Sequence, residues 1–267
     1  MRKLLISLLT LLLTACEREI PLDYHTTQPL YVAEMTLTPS SVSARITTTQ
    51  DMDETTATRH YVEGATITIG MAGSEWVDTL EYQGQGRYSL PYFAMEGYEF
   101  VADIAIDGHH YTSTSKMLSA PVINSFEFVW QDMLTEKVLF GELRLQDKAD
   151  ENNYYFMHLY RNGTGYRWAV MRDTSNPGGE LKQLFSCTTQ REMDKDTDSD
   201  VLHEGDHLRM EVRSIDQRSY EYLYSLQLMS GSGTNPIGNF TNGMLGYFSA
   251  YQQAETSLVF HLADITK

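Results

Sequence analysis

Two cysteines in 267 residues leave no room for a disulfide framework, so the fold must rest on burial and hydrogen bonding. Cys16 closes an apolar leader, and Cys187 is left without a partner in the chain. In LKQLFSCTTQ, Cys187 reads as a small buried hydrophobe in a strand. A nucleophile would need a histidine and an acid gathered around it in space, which this segment does not supply. Basic residues are scarce as well: 20 Lys and Arg face 36 Asp and Glu, a net charge of −16. Nucleic-acid binding draws its affinity from Lys and Arg, so this composition excludes it. Anionic headgroups are repelled on the same ground, and the protein surface itself is no membrane anchor. Phosphate loops, nucleophile elbows and paired carboxylates are all missing, which leaves no positive case for catalysis or for a cofactor.

Long apolar runs occur in one place. Arg2 and Lys3 precede an apolar stretch, Leu4 to Leu13, too short for a permanent span. Leu13-Thr14-Ala15-Cys16 then resembles a bacterial lipobox, which implies cleavage after residue 15 and acylation of Cys16. Residues 1–15 are thus expected as signal peptide and 16–29 as a lipidated tether. Removing the leader takes away two basic residues and brings the net charge to −18. Several acyl chains at Cys16 would anchor the chain in effect permanently. Glu17-Arg18-Glu19 is similar to the short acidic export signal of Bacteroidetes lipoproteins, which implies the outer face of the outer membrane.

Beyond the tether the pattern has period two. In YEFVADIAI, Tyr98, Phe100, Ala102, Ile104 and Ile106 alternate with Glu99, Val101, Asp103 and Ala105, as a half-buried strand requires. Asp107-Gly108 follows, then HHYTSTSKM, which predicts a hairpin with a tight positive-φ turn. VSARI, GATITIG, EWVDTLEY and GRYSLPYF add further short elements upstream, a density that predicts an antiparallel sandwich over 30–120. This run also resembles the carboxypeptidase-regulatory or transthyretin-like modules of exported Bacteroidetes proteins. Met117 to Pro121 breaks the alternation and marks the expected boundary. From 121 to 267, strands are expected at VINSFEFVW, VLFGELRLQ, NYYFMHLYR, YRWAVMRD and HLRMEVRSI, with a turn at Asn176-Pro177-Gly178-Gly179. One principal helix is predicted from Asp216 to about Met229: Asp216 caps it, Tyr220, Leu223, Tyr224 and Leu228 form its stripe, and Gly231 ends it. The predicted fold is mainly β, with two antiparallel sandwich-like domains.

Several constellations could carry chemistry. His203-Glu204-Gly205-Asp206-His207 has the letters of a zinc-protease motif, which would make the protein a metal-dependent surface hydrolase. That motif needs both histidines on one helix face, whereas Gly205-Asp206 followed by alternating LRMEVRSI predicts a turn entering a strand. Asp194, Asp196, Asp198 and Asp200 are spaced by two, but an EF-hand loop from Asp194 would need Gly where Ser199 stands and Glu where Gly205 stands. The segment is a solvated acidic loop or a calcium site of another kind. His109-His110 beside the turn read as surface. Trp76, Trp130 and Trp168 would make a carbohydrate platform only if clustered and exposed. Loops around Asn152 and from Asp194 to Asp206 are the expected binding edges.

The second half carries a resemblance. Gly205-Asp206, Val212, Ser214-Ile215-Asp216, Tyr220-Glu221-Tyr222, Asn235-Pro236-Ile237-Gly238-Asn239 and Gly243-Met244-Leu245-Gly246-Tyr247-Phe248-Ser249-Ala250 resemble a domain-of-unknown-function family of Bacteroidetes outer-membrane lipoproteins. Genes of that family often lie beside those of TonB-dependent receptors, so the resemblance implies a transporter accessory and brings no catalytic residues. Gly238, Gly243 and Gly246 have a local reading as bulges or close backbone approaches. A sandwich pair behind a lipobox also resembles fimbrial subunits and tip adhesins that assemble by strand donation. For those, Arg45 or Arg59 would be the loose candidate for a processing site.

Overall fold

A computed structural model of the protein describes residues 28–50, 60–148, 153–173, 179–195, 200–229 and 236–265. The leader and most of the tether, Cys16 included, lie outside these residues, as do Arg59, Asn152, Gly231 and the Asn176-Pro177-Gly178 part of the expected turn. The chain is mainly β. Eight strands come first: β1 (Tyr31–Leu37), β2 (Ser41–Thr48), β3 (Thr66–Met71), β4 (Val77–Thr79), β5 (Glu81–Gly84), β6 (Arg87–Pro91), β7 (Glu99–Ile106) and β8 (His109–Lys116). The next five are β9 (Val122–Asp132), β10 (Lys137–Gln146), β11 (Tyr154–Arg161), β12 (Thr164–Arg172) and β13 (Glu180–Thr189). A short helix α1 (Gln190–Lys195), strand β14 (His207–Ile215), helix α2 (Gln217–Leu228), and strands β15 (Leu245–Ala250) and β16 (Gln252–Val259) complete the order.

Two sandwiches result. In the first, a sheet ordered β15-β1-β2-β6-β5 covers one ordered β4-β3-β7-β8. Their inward residues, among them Met35, Ile46, Ile67, Ile104 and Phe248, are fully buried in one core. Each such side chain contributes roughly 1.5–3 kcal/mol. The second sandwich sets β13-β10-β9 against β12-β11-β14-β16, with Leu139, Leu143, Met157, Leu159, Met210 and Val212 at its centre. Alternation drives both: β7 buries Phe100, Ala102, Ile104 and Ile106 and turns the residues between them outward.

The structure departs from the sequence reading in three local ways. Tyr98 is not the first inward residue of β7 but an exposed loop residue before it. EWVDTLEY is two strands in different sheets, hinged at buried Leu80. In α2 the buried face is Ser219, Tyr222 and Leu223, while Tyr224 and Leu228 are exposed. The helix lies on aromatic residues of both sandwiches, so its contact face turned toward Tyr222, whose ring stacks on Tyr247 at 4.8 Å.

One pairing is parallel. β15 lies beside β1 from Val32↔Leu245 to Leu37↔Ala250. After Tyr251 alone, the chain continues as β16 in the second sandwich, beside β14. A nearly continuous run thus serves as a strand in both sandwiches. No described helix is long and apolar enough to cross a membrane.

Candidate binding surfaces

Residues of the stretches that carry the family resemblance meet where β8 and β15 of the first sandwich face α2. Asp216 caps α2 by accepting the Ser219 N–H at 2.8 Å, and its second oxygen accepts the hydroxyl of Ser115, at the end of β8. That Ser115 oxygen in turn accepts the Ala250 N–H at 2.8 Å. Asn239 forms a second knot. Its carbonyl oxygen takes the Phe248 N–H at 2.8 Å, its amide donates to Phe248 O at 2.9 Å, and Ser113 donates to both its side-chain and main-chain oxygens. Arg218 of α2 donates to the main-chain carbonyl of Asn239 at 2.8 Å. Gly246 has φ +97°, and a Cβ there would sit 2.0 Å from the Ala33 carbonyl oxygen. Gly238 faces the Met244 carbonyl at 2.9 Å in the same sense. Polar groups buried with this degree of satisfaction fix one arrangement of the elements that carry them. Burial pushes the Asp216 carboxyl above its ordinary range, against the hydrogen bonds from Ser115 and Ser219.

The His203–His207 segment is a turn and not a helix. Gly205 takes φ +87°, the Asp206 N–H bonds to the His203 carbonyl at 3.0 Å, and His207 opens β14. Asp206 is its hub, accepting Arg161 Nε at 2.7 Å, the Asn162 amide at 2.7 Å and the His203 N–H at 2.8 Å. Burial alone would raise this carboxyl, but those donors outweigh it and hold it below the usual range. Arg161 also faces His203 Nδ1 at 2.8 Å, which sets a guanidinium against any cation at that nitrogen. Glu204 is engaged with His261 Nδ1 at 2.6 Å and with the Leu262 N–H.

Of the four spaced aspartates, Asp196 and Asp198, with the side chain of Asp194, lie outside the described residues. Asp200 accepts Arg167 at 3.0 Å. Cys187 is buried and its thiol is pushed up to about 11, chiefly by burial. His109 and His110 are exposed, with His110 Nδ1 2.8 Å from Asp103. Arg45 sits inside β2, between β1 and β6.

The three tryptophans do not gather. Trp168 lies on the outer face of β12, beside Phe156 at 6.0 Å. There, Arg209 covers Tyr160 at 4.0 Å, Arg213 covers Phe156 and Tyr251, and buried Glu211 is bound by both arginines. Burial would raise Glu211, but Arg213 and Arg209 hold it low. This ladder is closed on itself. Trp130 packs against the second core. Trp76 is 87% exposed at the β3–β4 turn, and Phe93 is 79% exposed on the β6–β7 loop, at the same end of the first sandwich. Sequence reasoning missed Phe93 altogether, although its neighbour Pro91 ends β6 and signals a loop.

The sequence matches the family described as a domain of unknown function, DUF4249, over residues 17–257. No curated protein matches the chain. Among solved structures, a cytokine receptor complex is similar at 9% identity, over 86% of this chain and 98% of its own, with a TM-score of 0.28. A two-domain fibronectin type-III segment of chicken tenascin is similar at 10% identity over 87% and 100%, with a TM-score of 0.24. Superpositions that loose bear on neither function nor domain arrangement.

Proposed function

The chain belongs to the DUF4249 family, whose match begins at the residue after Cys16, and we propose that it is a lipid-anchored outer-membrane protein of the cell surface. In this reading it acts as a non-catalytic partner of a TonB-dependent transporter. The observation that carries the reading is how the residues of the family-like stretches are used: Asp216 ties the start of α2, directly after β14 of the second sandwich, to β8 of the first, while Asn239, Gly246 and Phe248 are spent on seating β15 inside the first sandwich. Side chains used in that way hold a scaffold, and the scaffold's loops are then free to recognise something. A permanent lipid at Cys16 confines such a scaffold to one plane, raising its effective concentration toward an integral membrane partner. The lipobox-like stretch from Leu13 to Cys16 and the gene neighbourhood that the family resemblance implies support the choice of partner.

Affinity capture of the tagged full-length protein from membranes in mild detergent tests this. A TonB-dependent receptor should co-purify, and Cys16→Ser should shift the protein out of the membrane fraction. Capture of fimbrial subunits, or unchanged fractionation of the variant, would overturn the reading.

A further inference from the structure

The first sandwich has two ends. β1 starts at Tyr31, on the tether side, and the β1–β2 turn, the β3–β4 turn and the β6–β7 loop gather at the other, one strand length or roughly 23 Å away. That far end displays Met71, Trp76, Val77, Phe93, Met95 and Tyr98, each more than a third exposed. Monomeric surfaces scatter such residues singly; gathering them on two adjacent loops marks an interaction site.

Both loops are held in shape. Ser74 N–H bonds to the Met71 carbonyl at 3.0 Å, and Trp76 N–H bonds to Ser74 Oγ at 3.1 Å. On the other loop, Tyr92 and Ala94 donate to the Ser40 and Pro39 carbonyls, Ala94 is buried, and Gly97 N–H reaches the Met117 carbonyl at 2.8 Å. Glu96 accepts from Gln252 at 3.0 Å, so the display is fastened to the second sandwich. The aromatic side chains are therefore presented on ordered backbone, which lowers the entropy lost on binding.

Charge selects the occupant. Residues 71–79 and 92–99 contain no Lys, Arg or His, and Glu75, Asp78, Glu96 and Glu99 are all exposed among the apolar side chains. Lys116, across from Glu99 in the β7–β8 register, is the nearby cation. Such a rim opposes an anionic bilayer. It also opposes a second copy of the same end, because a two-fold contact would set acid against acid. The geometry points to a docking site for a protein surface with an apolar centre and a Lys- and Arg-rich rim. The assignment rests on reading the protein as a binding partner, and it fixes where that binding occurs.

The test places a photo-crosslinking amino acid at position 76, 93 or 168 of the full-length lipoprotein in intact cells. Positions 76 and 93 should give adducts with one protein, the crosslinked peptide should carry Lys or Arg beside apolar residues, and position 168 should give none. Trp76→Ser with Phe93→Ser should weaken capture of that protein by about 30-fold, the loss of one strong anchor. Melting should stay unchanged, since both side chains face solvent. Glu75→Lys with Glu99→Lys should weaken capture while leaving the apolar residues in place. Adducts with lipid or with a second copy, or equal yield at 168, would overturn the assignment. A receptor captured with adducts only at 168 would overturn this surface and leave the transporter reading standing. Adducts at 76 and 93 with a protein other than a TonB-dependent receptor would do the reverse.

Discussion

Asn239 and Gly246 carry more of the seating of β15 than their size suggests. Truncating Asn239 orphans the Phe248 N–H in a buried place, while the Ser113 hydroxyl keeps the Asn239 main-chain oxygen, so Asn239→Ala should cost about 1–3 kcal/mol. Gly246→Ala should cost at least about 3 kcal/mol, because its Cβ meets the Ala33 carbonyl at 2.0 Å. Urea denaturation midpoints check both. Asp216 gives a prediction with the opposite pH sense to most carboxylates. Its raised value means that the folded protein binds the proton more tightly than the unfolded chain does. Its contribution therefore grows as pH falls through the folded value and is complete below the unfolded one, near pH 4. The stability of the natural protein relative to Asp216→Asn should rise as pH is lowered from neutrality; a flat difference would contradict the burial argument. Glu142 behaves in the usual way. Lys182 and Arg144 hold this buried carboxyl low, Lys182 foremost, so its contribution is present above about pH 4 and is lost as pH falls further. At the two histidines, metal analysis of the purified soluble body should find no stoichiometric zinc. One zinc per chain that vanishes in His203→Ala would revive a hydrolase.

At the scale of elements, half-buried antiparallel strands were the legible part. VSARI, GATITIG, YEFVADIAI and VLFGELRLQ all announce themselves by period two, and each is a strand. Asp216 was equally readable as a helix cap because its mechanism is local. The parallel β1–β15 pair could not be read, since nothing near Ala33 encodes a partner at Gly246. Leu80, an inward residue between two strands of different sheets, looks in sequence like the middle of one strand. Helix α1 was missed for another reason. It is six residues long, too short for periodicity, and is held by the reciprocal bonds of Thr189 and Glu192, a capping box visible only in hindsight. The binding surfaces were harder still. Trp76 and Phe93 sit in strand-like sequence, and an exposed aromatic looks the same as a buried one until the sheet faces are known.

On the whole molecule, the shared run through β15 and β16 and the Asp216 bond to Ser115 link the two sandwiches, while the Asn239 side chain holds β15 and β8 together within the first. Asn239→Ala should therefore loosen the first sandwich, and hydrogen exchange should show protection falling in β8 and β15 together. Unchanged protection in both strands would contradict that role of Asn239. The proposed lipid at Cys16, the scaffold and its loops together support the proposal of a surface protein that holds a partner. Native mass spectrometry of the full-length protein, extracted from membranes in mild detergent, tests that claim most directly. The expected result is a complex whose mass is that of this protein plus a TonB-dependent receptor. The lipoprotein alone, or a polymer of like β subunits, would contradict it.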